Sequence, residues 1–251
     1  MPSIAAGPVT ADVDLVAFDK DGTLIDFHHL WMRKTRLAVE AVVREVGGDM
    51  ALERDLYRSI GYDPKSNSAL ADGPLSISTM PKLYTICATV LYQHGHDWHE
   101  SEAVSRRAFA AGLGAIPTAD LVKPLGRIAP LFSRLTEAGA RIAIVTSDDR
   151  DATEATVALL GLSGYVSALV CGNDAIPSKP APDALHHLGD RFGVSTKRMA
   201  MVGDTVGDLA CATAAGAGCR IGVLSGTGRH DDLAPHADAL IASIDEIRVL
   251  G

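Results

Sequence analysis

Four short stretches of the 251-residue chain carry side chains able to do chemistry, each at the end of an apolar run or in the loop after it. The first is Phe18-Asp19-Lys20-Asp21-Gly22-Thr23. Side chains alternate along an extended chain, so Asp19 and Asp21 can face one side, with Lys20 pointing away. Two carboxylates so placed can divide a group transfer, one as nucleophile and one as proton donor. Gly22 marks the turn where the strand stops. The second is Ile142-Ala143-Ile144-Val145-Thr146-Ser147, a hydroxyl residue at a strand end with free backbone N–H groups to follow, which suits a phosphate. The third is Lys179 in Ser178-Lys179-Pro180-Ala181-Pro182, where prolines stiffen the backbone that aims the ammonium. The fourth is Met201-Val202-Gly203-Asp204-Thr205-Val206-Gly207-Asp208. Asp208 lies one helical turn beyond Asp204, so both can point into the same crevice.

Each stretch alone has a plain structural explanation. Asp-Gly forms solvated turns. Thr146, Ser147, Asp148, Asp149 or Asp204 could cap the helices that follow. A lysine is ordinarily a surface residue. Together they say more. Four acids, a hydroxyl and a lysine would meet at strand ends, where unpaired acids repel one another. A divalent cation resolves the repulsion, and hard oxygen ligands favour Mg²⁺. The lysine and the N–H groups then suit a phosphate.

The elements that would position these groups follow from patterning. Residues 13–18 read as a buried strand broken by Asp14. Helical spacing covers 30–46, 51–60, 81–93 and 97–111, with a turn-rich loop at 61–74 and little strand between Asp26 and Ile116. A helix is expected over 120–138. Beyond it, strands at 141–145, 168–171, 199–202, 220–224 and 238–241 alternate with helices at 150–160, 182–192 and 205–215, before a last short helix. That rhythm predicts an α/β fold, a Rossmann-like parallel sheet with helices on both faces. The helical stretch interrupts it after the first strand. The expected division is a core of 1–26 and 118–251 with an inserted helical cap of 27–117 joined by two linkers. Residues 1–10 are expected to be a loose tail without the features of a secretion signal.

These motifs, in this order, resemble the haloacid dehalogenase superfamily of phosphohydrolases. The likeness runs from Asp14 to about Ile241 and extends to the helical insertion, placed as in phosphoglycolate phosphatases and their relatives. The resemblance implies that Asp19 is a nucleophile that becomes an aspartyl phosphate and that Asp21 is the acid/base. It implies that Thr146 and Lys179 hold the phosphoryl oxygens, with Gly22, Thr23 and Ser147 beside them in the substrate-binding loops. It implies Mg²⁺ bound by Asp19, the backbone carbonyl of Asp21, and Asp204, with Asp208 supporting the metal shell. The acid at position 21 implies a leaving oxygen that must be protonated, whereas the dehalogenases and ATP-driven pumps lack one there.

A net charge of −8 argues against a broad nucleic-acid surface but does not exclude a small anionic substrate, and the resemblance implies a small phosphorylated metabolite as the partner. No stretch is long and apolar enough to span a membrane. Cys87, Cys171, Cys211 and Cys219 have no zinc-like spacing and read as reduced buried thiols, which points to the cytoplasm. Oligomeric state is not legible. His94, His96 and His99 read as a polar turn, not a zinc site. His28 and His29 read as linker residues, His186 and His187 as surface, and Gly216 as a helix cap. Cap-side candidates for specificity are His28, Arg33, Lys34, Lys82 and the loop 72–79, with 2-phosphoglycolate first among substrates and sugar phosphates next. The alternatives are a sugar-phosphate mutase, which would return the phosphate to its substrate, and a receiver-like or inactive phospho-accepting module. Turnover of p-nitrophenyl phosphate with Mg²⁺ separates the last two from an enzyme.

Overall fold

Alternating residues of one short strand, Leu15–Phe18, pack into two different cores, and the molecule is layered around that strand. The computed structural model describes residues 2–115 and 117–250; Met1, Ile116 and Gly251, which fall at the edges of the expected tail, cap and core, lie outside the described residues. In chain order the strands are β1 (Ser3–Ala6), β2 (Val9–Asp12), β3 (Leu15–Phe18), β4 (Tyr62–Asp63), β5 (Ser68–Ala69), β6 (Arg141–Val145), β7 (Val166–Val170), β8 (Met199–Gly203), β9 (Cys219–Val223), β10 (Ala239–Ile241) and β11 (Arg248–Leu250). The helices are α1 (Phe27–Val46), α2 (Met50–Ile60), α3 (Pro74–Ile77), α4 (Met80–Gln93), α5 (Trp98–Val104), α6 (Ala110–Leu113), α7 (Ile128–Glu137), α8 (Arg150–Leu159), α9 (Asp183–Phe192), α10 (Val206–Ala215) and α11 (His230–Leu233).

Six strands form one sheet in the order β10-β9-β8-β3-β6-β7, every pair parallel. Val16, Phe18, Ile142, Ile144, Ala200 and Val202 face one side, against Leu131, Phe132 and Leu135 of α7. Leu15, Ala17, Ala143, Val145, Met199 and Met201 face the other, against Leu185 and Leu188 of α9 and Cys211 and Ala212 of α10. Burial on both faces is why these strands read as continuous apolar runs. Phe18 lies opposite Ile144 on β6 and Val202 on β8, so the carboxyl ends of three neighbouring strands finish at one level. The chain reverses its winding direction at this point, where open α/β sheets place their ligands. Asp14, which interrupts the first apolar run, precedes β3 and is held by both nitrogens of the Arg198 fork, at 2.5 and 2.7 Å.

The helices α1 to α6, with the small β4–β5 hairpin, have a separate hydrophobic cluster that includes Leu30, Val39, Leu56, Leu83, Leu91 and Phe109. Asp26 starts α1 by accepting from the His29 N–H at 3.0 Å, and Gly47 ends it at φ 63°. The two linkers run together: Asp26 N–H donates to the Lys123 carbonyl and Leu125 N–H to the Leu24 carbonyl, both at 2.8 Å.

Three expectations need correction. The N-terminal residues are not a loose tail. β1 pairs antiparallel with β2 and with β11, and Ile4, Ala5 and Ala6 are buried. A four-residue strand has too little periodicity to read, and its second partner lies at the far end of the sequence. The helix expected over 120–138 begins only at Ile128. Pro124 cannot continue a helix, and Gly126 sits at φ 84°, so 118–127 is turn and linker. The loop 61–74 contains the two-residue strands β4 and β5.

Candidate active site

Asp19 leaves the end of β3 with its backbone still in the ladder, its N–H donating to the Val202 carbonyl at 2.8 Å. Lys179 reaches it from the loop before α9. Its Nζ donates to Asp19 Oδ1 at 2.6 Å, to Asp208 Oδ1 at 2.5 Å and to the Val145 carbonyl at 2.9 Å. An ammonium has three protons, so all three are directed. Asp208 Oδ2 accepts from the Thr205 N–H at 2.9 Å and its hydroxyl at 2.6 Å, closing a capping box on α10. Both Asp208 oxygens are thus engaged, one by the lysine and one by its own helix.

Asp204, 1% exposed, follows β8. Its Oδ2 accepts from the Thr227 N–H at 2.8 Å and its Oδ1 from the Thr23 hydroxyl at 3.3 Å. Gly22 turns at φ 87° directly against the Asp204 carboxylate, and a Cβ there would strike it. The Ser225 hydroxyl fastens this turn by donating to the Gly22 carbonyl at 2.8 Å. One carboxylate oxygen from each of Asp19, Asp204 and Asp208 lies within 4.8 Å of the others. The side chain of Asp21 is not in that group. Burial first, then Asp19 and Asp208, push the Asp204 carboxyl well above the usual carboxylate range. Burial likewise pushes Asp19 up to about 7, with Asp208 and Asp21 adding to it and Lys179 opposing it. Two buried carboxylates whose ionised forms are disfavoured, crowded beside a third on Asp208, are a donor set that a hard divalent cation fits.

Thr146 follows β6. Its N–H continues the ladder to the Val170 carbonyl at 2.9 Å, and its hydroxyl oxygen accepts from the Asp148 N–H at 3.1 Å. The hydroxyl proton is left for another acceptor. Asp149 holds the N-cap position of α8 without a side-chain bond, so none of the residues from Thr146 to Asp149 caps that helix. Thr146 and Ser147, with Asp19, Asp21, Lys179 and Asp204, line a cleft of about 950 Å³.

Asp21 has different company. The Trp31 indole of α1 donates to its Oδ1 at 2.9 Å, and Lys20 Nζ lies 2.7 Å from its Oδ2. Lys20, expected to point away, is buried and also donates to Asp148 Oδ2 at 2.9 Å. Burial alone would lower its affinity for the proton, but Asp148 and Asp21 more than offset that and hold it charged.

The helical side of the cleft is lined by Asp72, Leu75, Ser76, Ile77, Ser78 and Lys82, among others. His28 and Arg33 face a separate depression beside Arg36. Lys34 is buried, its Nζ over the Trp31 ring at 4.8 Å from the centroid. His29 bonds the Asp120 carbonyl through its ring. His94 ends α4, His96 lies in the turn that follows, and His99 is in the first turn of α5, which Asp97 caps. His186 and His187 are exposed, Gly216 ends α10 at φ 67°, and all four cysteines are buried free thiols.

Sequence reasoning missed Trp31, Asp148 and Thr227. Trp31 sits four residues after Phe27 on a helix read as merely amphipathic. Thr227 belongs to Ser225-Gly226-Thr227-Gly228, a hydroxyl and glycine loop after β9. Strand-end position, the rule that found the other groups, also applies to it.

The fold and this site place the chain in a known class. The haloacid dehalogenase-like hydrolase profile matches residues 13–216, and the chain belongs to that family. It is similar to the plasmid phosphoglycolate phosphatase of Cupriavidus necator, 32% identical over 132 residues, 50% of this chain and 57% of the relative. It is also similar to the phosphoglycolate phosphatase of Escherichia coli O157:H7, 25% identical over 206 residues, 82% of this chain and 79% of the relative. The chain spans about half the length of the first curated relatives it matches. A predicted phosphoglycolate phosphatase from Haemophilus somnus 129pt has the same fold, with a TM-score of 0.68, 18% identity, and 92% and 94% of the two chains covered. Among the described residues, no helix is long and apolar enough to cross a membrane.

Proposed function

We propose that the protein hydrolyses a phosphate monoester of a small metabolite through a phosphoryl group carried on Asp19. The observation that carries this reading is the meeting of Asp19, Thr146, Lys179 and Asp204 at adjacent strand ends, with Lys179 Nζ 2.6 Å from Asp19. Phosphoryl transfer asks mainly for in-line positioning and charge neutralisation, and these groups supply both. Asp19, Asp204 and the Asp21 carbonyl would hold Mg²⁺, which when bound neutralises the crowded carboxylates and the phosphoryl oxygens. Asp208 serves by fixing Lys179.

In the first half-reaction an Asp19 carboxylate oxygen forms a bond to phosphorus as the ester oxygen–phosphorus bond breaks. The departing oxygen takes a proton from Asp21. The Thr146 hydroxyl and Lys179 bind the phosphoryl oxygens. In the second, water attacks the phosphorus, Asp21 takes its proton, and inorganic phosphate leaves Asp19 free. The helical unit 27–117 acts as a cap that contacts the part of the substrate that does not react, and so selects it.

The names of the relatives support 2-phosphoglycolate as first substrate. The cleft supports a second reading, sugar phosphates, because about 950 Å³ lies at the upper end of what drug-sized ligands occupy. The test is phosphate release from a panel of both classes, scored by kcat/KM. Release that needs Mg²⁺, stops in EDTA and is lost in Asp19→Asn is expected. Release undiminished in Asp19→Asn defeats the proposal, as does isomerised sugar phosphate in place of free phosphate.

A further inference from the structure

Asp21 is held by a residue that belongs to the other half of the molecule. Trp31 lies on α1, in the helical unit, and its indole N–H reaches the Asp21 carboxylate at 2.9 Å. The ring is fixed from both sides by its own helix. Phe27, one turn earlier, stacks on it with centroids 6.3 Å apart and planes 26° from parallel. Lys34, on the next turn, places Nζ 4.8 Å from the ring centroid. Residues 27, 31 and 34 share one helix face. Phe27 and Trp31 also line the cleft. Lys34 is 2% exposed and its Nζ has no hydrogen-bonding partner among the described residues. Burying an ammonium without hydrogen-bonding partners is costly, and one aromatic face offsets only part of that cost. A helix selected only for packing would carry an apolar residue there.

We infer that Trp31 is a positioning residue for Asp21, which ties proton transfer in the core to the seating of the helical unit. The inference rests on the phosphatase reading above. The indole holds Oδ1 while Lys20 holds Oδ2, so the carboxyl group has one orientation while the two halves are in contact. Displacing α1 removes the Oδ1 contact and leaves Lys20 alone to hold the group. Asp21 is then correctly placed only when the helical unit is seated over the cleft. Misplacing a catalytic group by about 1 Å can cost on the order of 100-fold.

Trp31→Phe tests this, because it keeps the stacked ring and deletes the N–H. The reading is the single-turnover rate of phosphate transfer to Asp19 from two esters with Mg²⁺. An alkyl phosphate needs its leaving oxygen protonated, and p-nitrophenyl phosphate does not. We expect the alkyl rate to fall about 10- to 100-fold, with the nitrophenyl rate and both KM values within about threefold. Equal loss on both esters, or loss on neither, overturns the inference while the phosphatase reading stands. A wild-type protein that transfers phosphate from neither ester defeats that reading, and the inference with it. A second measurement does not depend on activity. In Trp98→Phe protein the Trp31 indole N–H gives the sole indole resonance. Asp21→Ala should move it upfield, and an unmoved resonance shows that the contact is not made in solution.

Discussion

At the scale of residues, the site is a problem of crowded charge. Burial disfavours the ionised forms of Asp19 and Asp204 and raises both, Asp19 to about 7. In the unfolded chain a carboxyl titrates near 4. Between those values the folded protein holds protons that the unfolded chain has released. Stability from Asp19 is therefore full below about pH 4 and is lost as pH rises through about 7 in metal-free protein, and Asp204, raised for the same reason, acts in the same direction. A cation competing with the same protons should reverse the trend. We expect Mg²⁺ to raise the melting temperature more at pH 8 than at pH 5, and Asp204→Asn to abolish the difference. A Mg²⁺ effect that is absent, or equal at the two pH values, contradicts the metal assignment.

At the scale of elements, β3 decides the arrangement, and its alternate residues anchor it on both faces. Phe18 packs on Phe132 of α7 with centroids 5.0 Å apart, on the face opposite α9 and α10. Phe132→Ala should cost about 3–5 kcal/mol and lower the melting temperature by roughly 10 °C. A shift of under about 2 °C would show that this contact does not hold the sheet. The central strands β3, β6 and β8 are legible because each is a nearly continuous apolar run ending beside an acid, a hydroxyl or a glycine, whereas β7 and β9 carry Ser167 and Arg220. The same logic exposed Asp19, Thr146, Asp204 and the lysine loop as neighbours. The N-terminal hairpin was not legible, because β1 owes its position to β11 and not to its own four residues. Apolar spacing suggests a helix from position 120 because it continues across Pro124 and Gly126, which break one. Trp31 was hidden for another reason. Its role comes from a contact across two units of the fold, and nothing in the local pattern of α1 records that contact.

At the scale of the molecule, the sheet with its two flanking cores and the helical cluster meet across a cleft, and the chain passes between them twice through linkers bonded to each other. Leu70 and Ile77 on the helical side and Val206 on the sheet side line this cleft while remaining exposed. If the helical unit works as a cap, approach of the two sides would bury these residues and exclude water from the reacting phosphate. Small-angle scattering should then show compaction when beryllium fluoride, a phosphate mimic, is added with Mg²⁺. An unchanged profile from a protein whose site is already sealed contradicts a gating cap.

The central claim is that phosphate passes through Asp19, and chemical trapping tests it most directly. The protein is mixed with p-nitrophenyl phosphate and Mg²⁺, quenched in acid, digested and mapped by mass spectrometry. The account predicts a phosphoryl adduct on Asp19, stable to acid and removed by hydroxylamine. It should build up in Asp21→Asn, which can still be phosphorylated by an activated ester but lacks the base that helps water remove the phosphate, a contribution of roughly 10²–10⁴-fold. Turnover without an adduct in either protein, or an adduct on a residue other than Asp19, would contradict it.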